Sequence, residues 1–223
     1  MDTDGYMPVP QEVICKEPTG NVESSHQPTG LEYLTYLDTV VVEKLPRNAK
    51  KIEWVLKNSN GQEAYHIMEE SDAWQRRIYG KARAFHMKVY DNLDRPVFQI
   101  LRDVSCWSQS PCTIQSSNGV IGYTDIKLDC SGQYYRIQSP DKNTVLRITR
   151  PPFCEQLCCV DKHFKIKSEH EKIGKIARRT GGFLGTMMGG QDKYEVKFPI
   201  DLDVNMKCII LGAVMLINNV ERK

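Results

Sequence analysis

The sequence is short of nearly everything that announces a chemistry. Its 223 residues contain no H-E-x-x-H, no G-x-S-x-G and only five scattered histidines, so neither a zinc hydrolase nor a serine hydrolase is indicated. The glycine-rich run Gly181–Gly190 lacks the Gly-Lys-Ser/Thr of a phosphate loop, which argues against a nucleotide. No long hydrophobic run exists either. The longest, Cys208–Ile217, has ten residues, where a bilayer span wants about 20. Charge of one sign is also scarce: 30 Lys and Arg face 28 Asp and Glu, for a net of +2. Residues 1–29 carry −4 of that balance, so the remainder is +6, a modest excess that suits an anionic lipid surface better than nucleic acid. Met1–Gly30 has no apolar core of a signal peptide, and no Asn-x-Ser/Thr occurs. The eight cysteines are therefore expected to be reduced and cytosol-facing.

What is present is alternation. Residues 1–29 hold Pro8, Pro10, Pro18 and Pro28 among Gly, Ser and acids, with no apolar period, and read as a disordered polar tail. From Gly30 onward, alternating segments are joined by polar turns. Trp54–Lys57 turns through Asn58-Ser59-Asn60-Gly61 into Glu63–Met68. The same pattern recurs in Phe85–Leu101, Thr113–Ile126, Tyr134–Thr149 and Phe164–Ala177. Five hairpins, with Leu37–Val42 before them and Tyr194–Phe198 after them, predict twelve antiparallel strands. So many sequential strands must split into two sheets or close into a barrel to remove their edges.

The end of the chain breaks this pattern. Cys208–Ile217 is apolar all round, follows the acidic turn Asp201-Leu202-Asp203, and predicts a helix over about 202–218. An all-apolar helix of this length needs an apolar container, and a closed barrel supplies one. The sequence thus predicts an all-β domain over 30–223 around one C-terminal helix.

Gly30-Leu31-Glu32-Tyr33-Leu34, the hairpin Lys57–Gln62 and the block Phe198–Lys207 resemble, in order, segments of the phospholipid scramblase family. The resemblance runs from about Gly30 to Val220, without the Pro-rich N-terminal arm of larger members. It implies a tubby-like fold, a twelve-stranded antiparallel β-barrel enclosing a central hydrophobic helix. It further implies ATP-independent, calcium-stimulated, bidirectional movement of phospholipids between leaflets, with no covalent chemistry and hence no enzyme. The location implied is the cytoplasmic face of the plasma membrane, held partly by palmitate, with a nuclear pool for some members. A phospholipid membrane, anionic lipids included, is the expected partner. The alternative is a tubby-like lipid- or protein-binding module that transports nothing.

The family also implies sites. Its calcium segment maps onto Gly190–Asp201, with Asp192, Glu195 and Asp201 as oxygen donors for Ca²⁺. Gly190 stands where the first carboxylate belongs, and Glu195 where the turn glycine belongs, so the segment is degenerate. Lipidation candidates are Cys106 and Cys112, flanking Trp107, and then Cys154, Cys158 and Cys159. One acyl chain holds a membrane marginally and two hold it stably, so both thiols of the first pair are wanted. Lys172, Lys175, Arg178 and Arg179 form a basic patch in the family's nuclear-import region, a weak signal that a solvated, lipid-facing strand edge accounts for better.

Overall fold

The computed structural model describes residues 30–46, 52–70, 83–103, 110–130, 132–151, 161–169, 171–179 and 192–221. The strands follow as β1 (Thr39–Lys44), β2 (Ile52–Lys57), β3 (Glu63–Glu69), β4 (Phe85–Asp91), β5 (Pro96–Arg102) and β6 (Cys112–Ser116), then β7 (Gly119–Asp129), β8 (Gly132–Gln138), β9 (Thr144–Thr149), β10 (Lys162–Lys167), β11 (Lys172–Arg179) and β12 (Lys193–Lys197). Helix α1 (Glu32–Thr35) precedes them and α2 (Val204–Glu221) closes the chain. Each strand lies beside its neighbour in sequence, and β1 pairs antiparallel with β12 to close the barrel. Twelve strands agree with the alternation, the C-terminal helix with the apolar run, and closure with the need to contain that helix and with the family resemblance. The one-turn α1 is unforeseen, being too short to show a period.

Alternation decides which face is buried. In β4, Phe85, Met87 and Val89 point inward, while His86, Lys88 and Tyr90 point out. The turns carry the expected chemistry. The Asn58 side-chain oxygen accepts from the N–H groups of Asn60 and Gln62 at 2.9 and 3.0 Å, and Gly61 supplies a φ of +80°.

The interior is filled by α2. Its run from Cys208 to Ile217 is buried on every side, with the isoleucines, leucines and valine of that run fully covered. The backbone comes close because glycines face each other's neighbours: a Cβ on Gly212 would lie 2.8 Å from Ile114 Cγ1, and one on Gly122 only 2.4 Å from Ile209 Cδ1. Asp203 caps the start, accepting from the N–H groups of Asn205 at 2.9 Å and Met206 at 3.2 Å. Length and composition would let α2 cross a membrane, yet 83% of it is buried inside the barrel. It spans 204–221 rather than 202–218, because Asp203 fixes the cap and Glu221 is anchored at the far end.

The meander gives the barrel two unlike rims. The turns at 58–62, 92–95, 117–118, 139–143 and 168–171 lie at one rim, together with α1 and the start of α2. The longer links leave and re-enter at the opposite rim, where α2 ends, together with the two-residue link from β7 to β8.

Candidate functional site

Since α2 fills the barrel, polar side chains can act only at the rims and on the outer wall. The turn rim is organised by Lys207. Its ammonium, fully buried, donates to the carbonyls of Thr35, Leu37 and Ile200 at 2.9 Å each and of Leu34 at 3.3 Å, and lies 5.3 Å from the Phe198 ring centre. Burial pulls its pKa down, and Asp201, Asp38 and Asp203 pull the other way. The effect is mechanical: one side chain of α2 clamps the α1 segment and the chain leaving β12 onto the helix start.

The loop rim holds the other end of α2. Arg83 is ion-paired with Glu69, both buried, and its Nε donates to Asn219 Oδ1 at 3.0 Å. Glu221 receives Arg150 and, at 3.2 Å, Lys162, while Arg178 donates to the Glu221 carbonyl at 3.2 Å. Cations from four different places thus meet a helix C-terminus, where the macrodipole favours them.

The proposed calcium donors are not brought together. Asp192 sits at the loop rim and pairs with Arg178 at 2.9 Å; Asp201 is exposed at the turn rim. The five-residue β12 lies between them, and at ~3.3 Å per residue it holds the two ends about 17 Å apart. Glu195 points outward from that strand, held by Arg179 at 2.6 Å and Lys197 at 3.1 Å, and these cations keep its carboxyl below the usual carboxylate range. A calcium ion needs its oxygens at about 2.3–2.6 Å, a spacing that Asp192, Glu195 and Asp201 do not have while β12 is an extended strand. Among the described residues no group of three His, Cys, Asp or Glu could hold a metal.

Of the lipidation candidates, Cys106, Cys154, Cys158 and Cys159 lie outside the described residues. Cys112 is described. It opens β6 facing inward, is fully buried, and burial pushes its thiol up to about 12, so it offers an acyl donor neither access nor thiolate. The described exposed thiol is Cys130, at the loop rim between β7 and β8. The basic patch is divided by the pleat: Lys172, Lys175 and Arg179 are exposed, whereas Arg178 turns in to the α2 terminus. Sequence reasoning missed the Lys207 clamp and the Glu69–Arg83 pair. A lone lysine inside an apolar helical run was the available signal for the first; the second depends on register and left none.

The family model described as Scramblase matches residues 18–221, which takes in every strand and α2. The chain belongs to the scramblase family. Relatives agree: phospholipid scramblase 2 of Bos taurus is 34% identical over 208 residues, covering 86% of this chain and 70% of the relative. Phospholipid scramblase 1 of Mus musculus is 34% identical over 86% of this chain and 63% of its own length. Phospholipid scramblase family member 5 of Homo sapiens is 31% identical over 85% of this chain and 75% of its own. No solved structure matches the chain. Membership of the scramblase family carries with it association with phospholipid membranes.

Proposed function

We propose that the protein moves phospholipids between the leaflets of a bilayer, in both directions and without ATP, from the cytoplasmic face of the plasma membrane. The observation that carries this reading is the family match, which is continuous through the barrel and its core helix rather than confined to one block. No bond is made or broken in such movement. The filled interior leaves no path through the barrel, so lipid head groups would pass along its outer surface or through bilayer that it disturbs. Palmitate on Cys106, Cys154, Cys158 or Cys159 would hold the barrel at the membrane, with Cys112 left out for its burial.

Calcium stimulation belongs to the proposal with a condition. Asp192, Glu195 and Asp201 reach one ion only if β12 leaves the ladder, so calcium would deprotect the β12 amides in hydrogen exchange. The same filled interior favours a second reading, a barrel that binds membrane without transporting lipid. Liposomes carrying fluorescent lipid in both leaflets, quenched from outside with and without calcium, separate the two. Transport takes quenching well past one half; quenching fixed near one half in both conditions sinks it.

A further inference from the structure

We propose that the outer wall of β9–β12 is the face that docks on an anionic phospholipid surface. This deepens the membrane reading above and rests on it. Register makes the face. Cα partners set Lys165 opposite Lys175, and Lys175 opposite Lys197, so three lysines stand side by side across three strands. The adjoining row runs Arg147, Lys167, Lys172. Like charges directly opposite one another destabilise a sheet, and here the arrangement is repeated in two neighbouring rows. Glu195 is the one carboxylate within these four strands, and Arg179 and Lys197 hold it. Among the described residues, Lys165, Lys167, Lys172 and Lys175 make no ion pair.

The opposite wall is not built this way. The corresponding row on the opposite wall reads Met68, Lys88, Gln99, Gln115, and its single lysine is paired with Glu70 at 3.0 Å. Charge is therefore concentrated on one side of the molecule rather than spread over it.

A groove of about 400 Å³ opens on the same face. It exists because the β9 ladder with β10 covers only Arg147–Thr149, which leaves Thr144–Leu146 without a strand on that side. Arg147, stacked at 5.0 Å on the Tyr134 ring, lines it with Lys167 and Ser168, while Asp129 and Glu169 also contribute. Cations beside carboxylates and a hydroxyl suit a lipid head group that carries phosphate together with amine and carboxylate. The outward positions of β9–β12 carry no Phe, Tyr or Trp, the stacking platforms on which single-stranded nucleic acid depends. A broad face of lysines instead matches the diffuse charge of a head-group layer.

The test is sedimentation of the full chain with vesicles of phosphatidylcholine and phosphatidylserine at about 0.1 M salt, comparing two variants of equal net charge. Each cation near such a surface is worth about fivefold in binding, so Lys165→Gln/Lys175→Gln should lower partitioning about 25-fold. Lys88→Glu, an equal change of net charge on β4 across the barrel and more than a Debye length of ~10 Å away, should stay within about twofold. Removing crowded lysines should leave the melting temperature unchanged or raise it, so loss of binding is not loss of fold. Equal losses in both variants would mean that net charge alone acts, and would overturn the proposal, as would no loss in either. A single-stranded RNA that outcompetes the vesicles through the same two lysines would overturn it too. Docking with the expected contrast but without lipid movement would support this face while ending the transport reading.

Discussion

Lys207 shows how much structure one residue can hold. Its ammonium satisfies carbonyls of Leu34, Thr35, Leu37 and Ile200, which belong to two segments otherwise joined to α2 by little polar contact. Lys207→Met keeps the stem and removes the donors, leaving buried carbonyls unmatched. The expected loss is about 2–4 kcal/mol in a denaturant titration, with the turn rim exchanging amides first. Cys112 gives a second residue-scale outcome. With its thiol buried and pushed up to about 12, native protein at neutral pH should react with maleimide at Cys130 and not at Cys112. Rapid modification of Cys112 without unfolding would show that β6 opens. Asp91 gives a third. The N–H and guanidinium of Arg95, with the N–H of Leu93, hold its carboxyl below the usual range. Its stabilising effect is thus present above the unfolded value and lost as pH falls through the folded one. Acid titration of Asp91→Asn should show a shallower loss of stability below about pH 4 than the parent. The Lys207 contacts cannot be read from residue order, because backbone carbonyls are anonymous in a sequence.

Strands were legible where one face is buried and the other wet, as in Phe85–Asp91, since the pleat then writes its period into the residues. The core helix was legible for the opposite reason, having no wet face at all. Leu211→Asp tests that assignment. A carboxylate facing the sealed interior should abolish the cooperative melt of the whole domain, whereas a helix lodged in lipid would leave an intact barrel. A soluble variant with an undiminished β spectrum would overturn the buried placement. Legibility failed at β12. Family likeness supplied the spacing of Asp192, Glu195 and Asp201 but not the backbone joining them, and an extended strand carries its two ends to opposite rims. The lysine rows failed for a related reason: Lys165, Lys175 and Lys197 are neighbours only through ladder register, which lies outside any single stretch of chain.

At the scale of the whole molecule, the meander places five hairpin turns at one rim and, apart from the two-residue link from β7 to β8, the long connections at the other. Closure joins β1 to β12, the first strand to the last, and the helix that fills the space between them comes later still. Folding is therefore dominated by non-local contacts, which slows it. Order of synthesis adds a further constraint. When a ribosome reaches residues 204–221, every strand has already been synthesised, with its apolar inner row and nothing to cover it. The nascent chain must keep that row from other surfaces until α2 arrives, and the barrel can close on its core only after residues 204–221 have been made.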